Sequence, residues 1–332
     1  MTFQDIPTIF EILNKENLKP VPVLLEGDKI VCEDANGNKF LMKDCRGIER
    51  KVFESVLPAI EGQNLSFNTL QLPKHRNIVS VQITENGAQK QRDFIFINYY
   101  EGITFNSTWN ETSPEGYGGR GIGNGIAEKA INLLENFSLV DVTSLSTFGL
   151  PTFDLANWKS QNLPLKAENL IKRGVVNKAQ VDKAISILSS PSLFQNSPMI
   201  ITNGDFYPRN FIELKSGKIV VIDWEGREDY HASIEINGSV QNFTSQRNAL
   251  INYIENHAAF FFVHMWGNYP VQREFMKKVT TKFHLSPKNL QASIIIKSLE
   301  QSLAFGGGYL AVREAELFVN ALEIDFINDL IA

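Results

Sequence analysis

The amino-acid sequence predicts an α+β fold in two lobes, and three patterns lead to this prediction. Apolar and polar residues alternate between glycine turns in the first hundred residues, which is typical of antiparallel strands. Apolar residues then recur at helical spacing through most of the remaining chain. One short β-hairpin interrupts these helices at residues 211–223. We therefore predict a small antiparallel-sheet N-lobe with one helix, residues 1–102, and a larger, mainly helical C-lobe, residues 103–332.

The strands of the N-lobe are predicted from alternation and turn signals. VPVLLEG, KIVCEDANG and NKFLMKD form a three-stranded meander over residues 21–44, in which Asn36-Gly37 predicts a two-residue hairpin. Two later strands, IVSVQITEN and RDFIFINYYEG, are joined through Asn86-Gly87. The second of them leaves the N-lobe through Tyr99 to Gly102.

One helix is predicted between these two groups of strands. Its apolar residues recur at helical spacing from Ile48 to Ile60, and it also carries Glu49 and Glu54. In the C-lobe the same spacing predicts helices within residues 126–141, 181–190, 249–267, 271–283, 290–305 and 311–332. No internal repeat is evident.

Composition and charge exclude several classes of protein. The chain has 332 residues, 43% of them hydrophobic, so it can bury a substantial core. A net charge of -5 without any basic block argues against nucleic acid as a partner. The two cysteines, Cys32 and Cys45, fit neither a disulfide framework nor a zinc site and read as reduced thiols. With no secretory signal and no apolar run of about 18 residues, we expect a cytoplasmic protein that does not enter a membrane.

The hairpin in the C-lobe carries the most informative polar residues. ITNGDFYPRNFI places Asp205 and Asn210 before the first strand, and Asp223 follows the second strand in KIVVIDWEG. If Ser216-Gly217 is the turn, Asn210 faces Asp223, and directly opposed residues have Cβ atoms about 5 Å apart. An amide oxygen and a carboxylate at that separation can share one Mg²⁺ ion. The pattern predicts a metal site with one further carboxylate nearby.

These segments resemble a known family. The run from Asn203 to Asn210, followed by Ile-Asp-Trp-Glu at residues 222–225, looks like the catalytic loop and metal-binding segment of aminoglycoside phosphotransferases and choline kinases. Those proteins are small-molecule kinases with a protein-kinase-like fold. The resemblance extends over most of the chain in order: strand-borne Lys43 in FLMK, a helix with a glutamate, then INYYEG where the family has its hinge.

The resemblance implies a role for each of these positions. Asp205 would be the catalytic base, Asn210 and Asp223 would bind Mg²⁺, and Lys43 would bind the α- and β-phosphates of ATP. Glu49 would be the ion-pair partner of Lys43, with Glu54 as the second candidate because only six residues separate Lys43 from Glu49. Hinge residues Asn98, Tyr99 and Tyr100 would meet the adenine. The acceptor would be a hydroxyl of a small molecule, and the sequence leaves the oligomeric state open.

The chain also departs from the family pattern. Asn203 stands where the family usually has histidine, and the connection between the first two strands, with Lys29 at its end, offers the single Gly27. An aspartate that usually follows the metal-binding segment has no match, although Glu235 lies there. These departures motivate an alternative: a catalytically weak nucleotide-binding or regulatory pseudokinase of the same fold.

Other motifs carry less information. The glycines of residues 116–125 follow no strand, so we interpret them as a loop before a helix rather than a dinucleotide site. His257 and His264 lack the His-Glu-x-x-His pattern, which favours packing or a buried hydrogen bond over zinc. Acidic residues of the last helices could line a pocket for a cationic acceptor, but a solvated helix surface is the commoner case; they are Glu314, Glu316, Glu323 and Asp325.

Overall fold

The computed structural model describes residues 6–21, 29–85, 88–105, 125–172, 174–226, 231–236, 239–244, 246, 248–265, 269–304 and 309–332. Its strands are β1 Lys19–Pro20, β2 Ile30–Glu33, β3 Lys39–Asp44, β4 Leu70–Gln71, β5 His75–Glu85, β6 Ala88–Asn98, β7 Gly102–Thr104, β8 Met199–Ile201, β9 Phe211–Leu214, β10 Ile219–Val221, β11 His231–Ile236, β12 Ser239–Thr244 and β13 Ile251–Tyr253. Its α-helices are α1 Ile6–Lys15, α2 Glu49–Lys51, α3 Leu57–Gly62, α4 Ile126–Ser138, α5 Leu155–Asn157, α6 Leu163–Lys172, α7 Lys178–Leu188, α8 Ile254–His264, α9 Tyr269–Phe283, α10 Pro287–Ala304, α11 Tyr309–Ala321 and α12 Ile324–Ile331.

The N-terminal strands form a five-stranded antiparallel sheet in the order β1-β2-β3-β6-β5. The predicted β2–β3 hairpin forms, but the ladder leaves residues 34–38 in the connection, so its turn is longer than predicted. Asp34 builds this turn, because its carboxylate accepts hydrogen bonds from the backbone N–H groups of Asn36 and Asn38, each at 2.9 Å. Gly37 supplies the positive φ of 80° that the turn requires.

The second predicted hairpin has the expected length. β5 and β6 pair up to Glu85 opposite Ala88, which leaves two residues in the connection. Asn86 and Gly87 themselves lie outside the described residues, as does nearly all of the predicted first strand at residues 21–27.

Strand β6 is buried on both faces of the sheet over residues 94–97. Phe94 and Phe96 pack with α1, whereas Ile95 and Ile97 belong to the main core on the opposite face. This explains the uninterrupted apolar run in RDFIFINYYEG, since successive residues of a strand point to opposite faces. Helix α1 was not predicted from the sequence, and its role is to cover the outer face of this sheet.

The predicted amphipathic helix of the N-lobe is present. It is one helical segment from α2 to α3 with a π-helical stretch, Val52–Val56, between them. Its apolar stripe is buried in the main core: Ile48, Val52, Phe53, Val56, Leu57 and Ile60. The stripe fixes which side of this segment faces the protein, and so fixes the direction of Glu49.

A second, four-stranded sheet carries the candidate site, in the order β4-β10-β9-β7. β9 and β10 form the hairpin predicted at residues 211–223, and β4 adds to β10 in parallel. The chain passes from the first sheet to this one between β6 and β7, next to the predicted boundary at residue 103. That boundary stays a prediction.

The helical part departs from the sequence prediction at three points. The predicted helix at residues 249–267 begins as strand β13, because Ile251–Tyr253 pairs with β8 and this tertiary pairing overrides local helical spacing. A second β-hairpin, β11–β12, makes the prediction of a single β interruption wrong. A helical segment from α5 to α6 was also missed. The Asp154 carboxylate caps it by accepting from the N–H groups of Ala156 and Asn157.

The remaining predicted helices are present within a residue or a few of their expected ends. The run at residues 311–332 is divided into α11 and α12 by a break at Leu322 and Glu323. Among the described helices, none combines the length and apolarity that crossing a bilayer requires.

Candidate active site

Lys43 lies at the centre of a buried charge cluster. Its Nζ is 3.0 Å from Glu49 Oε1 and 3.0 Å from Asp223 Oδ1, and its side chain is 3% exposed. Glu54, the second candidate partner, forms an ion pair with Arg50 at 3.1 Å instead. The burial of the helix stripe explains this choice, because it turns Glu49 inward and leaves Glu54 at the surface.

Asp223 reaches this cluster through an unusual backbone conformation. It follows β10, whose residues are all buried, and its φ of +56° takes the chain out of the strand conformation. Aspartate is among the residues that tolerate this left-handed region, which is often occupied at functional sites. Its Oδ1 also lies 3.8 Å from the Nζ of Lys29, so two ammonium groups meet one carboxylate oxygen.

The charges in this cluster shift one another's pKa values. Burial by itself would lower the pKa of Lys43, but attraction to Asp223, Glu49 and Glu225 outweighs it and raises that pKa above its usual range. Burial would raise the pKa of Asp223, yet the nearby Lys43 and Lys29 hold it below its usual value. Lys43 is therefore a permanent cation and Asp223 a permanent anion at neutral pH.

The predicted catalytic loop follows β8 and is anchored by hydrogen bonds from its own polar residues. The Nδ2 of Asn203 donates to the carbonyl of Ile222 at 2.8 Å, which ties the loop to the residue before Asp223. The N–H of Gly204 donates to Thr202 Oγ1, which also contacts His257 Nδ1 at 3.1 Å. Asn203 thus anchors the loop at the position where the family usually has histidine.

Asp205 and Asn210 are held against each other in this loop. Pro208–Asn210 forms a 3₁₀ turn, and the Nδ2 of Asn210 donates to the carboxylate Oδ2 of Asp205 at 2.9 Å and to its carbonyl at 3.0 Å. Asn210 is 2% exposed. With its amide nitrogen committed to Asp205, the amide oxygen of Asn210 is the atom that faces away from Asp205.

The prediction that Asn210 lies directly opposite Asp223 is wrong by one residue. β9 and β10 pair Phe211 with Val221, and the N–H of Ile222 donates to the carbonyl of Asn210 at 2.9 Å. The reason is the turn, which spans three residues and uses Gly217 at φ +79° instead of the two residues expected. Asn210 is therefore opposite Ile222, and Asp223 lies one residue further along the chain. A metal ion shared by Asn210 and Asp223 stays a prediction.

The donor set nevertheless suits a hard cation such as Mg²⁺. A carboxylate and an amide oxygen are oxygen ligands, and Mg²⁺ commonly takes one or two protein ligands together with phosphates and water. Two ammonium groups already gather at Asp223 Oδ1, which indicates that this oxygen attracts positive charge. No cluster of three or more His, Cys, Asp or Glu side chains suited to a metal occurs in the part of the chain that the structure describes.

The predicted hinge residues connect the two sheets. Asn98 ends β6, and its N–H donates to the carbonyl of Lys74 at 2.8 Å. The N–H of Tyr99 donates to the carbonyl of Lys39, and the hydroxyl of Tyr100 accepts from the N–H of Lys74 at 2.7 Å. These hydrogen bonds hold in place the segment that follows β6. Its contact with adenine stays a prediction.

Two residues that sequence reasoning did not assign to the site lie in it. Glu225 Oε1 is 3.6 Å from Lys43 Nζ, and its backbone carbonyl accepts from the N–H of Ile48. Lys29 is the other, through its contact with Asp223. Glu225 could have been found from its position two residues after Asp223. Lys29 could have been found because the predicted meander puts the start of its second strand beside the end of its third strand, where Lys43 lies.

Several other predicted positions lie elsewhere. Glu316, Glu323 and Asp325 are exposed, and Glu323 forms an ion pair with Lys183, which agrees with a solvated helix surface. The side chain of Glu314 and residues 116–124 lie outside the described part. Glu235 belongs to strand β11.

The two histidines of helix α8, His257 and His264, each contact a polar atom of another residue. His257 Nδ1 contacts the hydroxyl of Thr202. Burial, and to a smaller extent the charge of Lys297, lowers the pKa of His257 to about 3. His264 Nδ1 lies 2.8 Å from the carbonyl of Phe260. The expectation of packing or a buried hydrogen bond is therefore confirmed for both.

Comparison with known proteins identifies the fold. A scan of protein-family profiles finds no match, and a search of curated proteins finds no significant one. Among solved structures, an APH(2'')-type phosphotransferase in complex with GDP and kanamycin matches 99% of this chain and 98% of its own, with a TM-score of 0.55 at 12% identity. A type I macrolide 2'-phosphotransferase matches 96% and 98%, with a TM-score of 0.55 at 14% identity.

A third solved structure agrees with these two. The aminoglycoside phosphotransferase APH(4)-Ia matches 98% of both chains with a TM-score of 0.52 at 12% identity. All three matches extend over nearly the whole length of each chain, including the N-terminal sheet and the helical part. This chain therefore has the protein-kinase-like α+β fold of the aminoglycoside and macrolide phosphotransferases.

Proposed function

We propose that this protein is an ATP-dependent phosphotransferase that moves the γ-phosphate to a hydroxyl of a small molecule. The proposal rests on one observation: the Nζ of Lys43 lies 3.0 Å from a carboxylate oxygen of Glu49 and 3.0 Å from one of Asp223. This charge cluster occurs on the fold of small-molecule phosphotransferases. Phosphoryl transfer depends mainly on positioning and on electrostatic stabilisation, and this cluster supplies fixed charges for both.

Each residue then has a distinct role. Lys43, held by Glu49, neutralises charge on the α- and β-phosphates. The carboxylate of Asp223 and the amide oxygen of Asn210 would hold Mg²⁺, which when bound offsets the charge of the phosphates. Asp205 orients the acceptor hydroxyl and takes its proton as the oxygen attacks the γ-phosphorus, while the bond from that phosphorus to the β–γ bridging oxygen breaks and ADP leaves. The hydrogen bond from Asn210 Nδ2 fixes the position of the Asp205 carboxylate in the loop.

The nucleotide and the acceptor are proposed at the level of chemical class. The solved relatives include one bound to GDP and kanamycin and an amicoumacin kinase bound to AMP-PNP, Ca²⁺ and amicoumacin, the latter with a TM-score of 0.50 at 10% identity. By analogy we propose a nucleoside triphosphate as donor and a polyhydroxylated small molecule as acceptor. ATP and GTP should both be offered as donors.

Two matched substitutions test the proposal. Asp205→Asn keeps size and hydrogen bonding but removes the base, so turnover should fall by about 10² to 10⁴ while Mg·ATP affinity stays nearly constant. Asp223→Asn should lose nucleotide affinity and turnover together. Turnover is measured across a panel of hydroxylated acceptors, and affinity by calorimetric titration.

Asp182→Asn is the control, because Asp182 is exposed and pairs with Lys178 within helix α7, outside the charge cluster of the site. It should behave as wild type in both measurements. Nucleotide binding by the wild type, with equal turnover in wild type and Asp205→Asn, would contradict the catalytic assignment. That result would support the alternative, a nucleotide-binding pseudokinase.

A further inference from the structure

Lys29 directly precedes β2, and Lys43 lies near the end of the neighbouring strand β3. β2 and β3 pair Ile30 with Met42 and Val31 with Leu41, so extending this register by one residue would place Lys29 opposite Lys43. Opposed residues of an antiparallel pair project from the same face of a sheet with Cβ atoms about 5 Å apart. Two lysines at such positions repel each other unless an anion lies between them.

The anion that lies between them in this structure is Asp223. Its Oδ1 is 3.0 Å from the Nζ of Lys43 and 3.8 Å from the Nζ of Lys29. The two lysines differ in what else they contact. Lys43 also has Glu49 and Glu225 within 4 Å, whereas Asp223 is the one carboxylate within that distance of Lys29 among the residues that the structure describes.

This difference determines what happens to each lysine when a metal nucleotide binds. A cation placed on Asp223 competes with both ammonium groups for the same oxygen. Lys43 keeps Glu49 and Glu225, and its side chain is only 3% exposed, so its position is fixed by burial. Lys29 is 33% exposed and has a flexible stem, so it is the cation that can turn toward a newly bound anion.

We infer that Lys29 is a second phosphate-binding residue, which contacts the β- and γ-phosphates of the donor nucleotide. The inference rests on the proposed function and adds a residue to it. Lys29 lies directly before β2 and is partly exposed, so its ammonium group can move from Asp223 to a phosphate oxygen while Lys43 stays in place.

The test compares nucleotides that differ in the number of phosphates. Binding of Mg·ATP, Mg·ADP and adenosine is measured by calorimetric titration for wild type, Lys29→Met and Lys29→Arg. A hydrogen bond to a charged group is worth enough that Lys29→Met should weaken Mg·ATP binding about 10- to 100-fold. Mg·ADP should lose less, adenosine should be unchanged, and Lys29→Arg should restore most of the affinity for Mg·ATP.

Controls separate this role from a structural one. Lys19→Met removes an exposed lysine from β1 of the same sheet and should leave all three affinities as in wild type. Thermal denaturation should give the same midpoint for wild type and Lys29→Met, and Lys29→Gln provides a second neutral variant if the methionine variant does not fold.

Three results would overturn the inference, and they differ in what they mean for the proposed function. If wild type binds Mg·ATP and Lys29→Met binds it equally well, Lys29 has no phosphate role and the proposed function stands. If Lys29→Met loses adenosine affinity as strongly as Mg·ATP affinity, its effect is on the fold of the site. Wild type that binds no nucleotide at all would overturn the proposed function together with the role of Lys29.

Discussion

At the scale of single residues, the Lys43–Glu49 pair is a buried ion pair within the proposed nucleotide site. Both side chains are almost fully buried, at 3% and 0% exposure, and burying a charge is costly unless it is paired. Such a pair stabilises the fold weakly compared with apolar residues of the same size. Its value lies in presenting a fixed ammonium group beside Asp223.

This balance leads to a prediction about stability. Lys43→Met should lower the free energy of unfolding by about 3–5 kcal/mol, because it leaves the Glu49 carboxylate buried without its partner. The double variant Lys43→Met/Glu49→Leu should recover most of that loss, yet neither variant should bind Mg·ATP. Urea denaturation and calorimetric titration measure the two properties.

Glu54→Gln serves as the control for this experiment. Glu54 is 43% exposed and pairs with Arg50 on the helix surface, so its substitution should change stability by about 0.5 kcal/mol or less. A double variant that is no more stable than Lys43→Met would show that the loss comes from packing around Lys43 and not from the unpaired charge of Glu49.

At the scale of elements, the shape of the proposed catalytic loop depends on one glycine. Gly204 has φ +79°, and a Cβ there would lie 2.5 Å from the carbonyl oxygen of Asn248. Gly217 in the β9–β10 turn has the same φ of +79°, with no heavy atom within 4 Å of a Cβ. The two glycines therefore differ in their surroundings and not in their backbone conformation.

These two positions give a matched prediction. Gly217→Ala should destabilise the protein by about 1 kcal/mol, the cost of a side chain at positive φ. Gly204→Ala adds a steric clash with backbone, so it should cost about 2–4 kcal/mol and should also displace Asp205 and abolish turnover. Denaturant unfolding and the acceptor assay check both values. Equal losses of stability in the two variants would contradict the importance of the Asn248 contact.

The elements also show how far the sequence could predict the site. Periodicity identified β2, β3, β5 and most of the helices, because each buries one face or stripe, and an uninterrupted apolar run identified β6. It could not determine the β9–β10 register, since Ser216-Gly217 fits both a two-residue turn and the three-residue turn that is present. Strand β13 was missed because it is stabilised by a distant partner, strand β8. Helix α1 was overlooked although Ile9, Ile12 and Leu13, which it buries against the first sheet, recur at helical spacing.

At the scale of the whole molecule, the two predicted lobes share one core. The main apolar cluster contains Val52 and Phe53 of the N-terminal helical segment together with Phe211 and Trp224 beside the site. Strand β4, from the first hundred residues, pairs with β10 in the second sheet. Charges from both parts then meet at Asp223, so the site exists only when both parts are folded together.

This shared core predicts a single unfolding transition. Differential scanning calorimetry of residues 1–332 should give one peak, with a calorimetric enthalpy equal to the van 't Hoff enthalpy, because unfolding either part exposes the apolar surface of the other. Residues 103–332 produced alone lack β4 and the helical segment that covers this core, so they should bind an apolar dye and show no cooperative transition. Two resolved peaks for the full chain, one of them matching the fragment, would mean that the lobes fold independently and that Lys43 and Asp223 are brought together by docking of preformed parts.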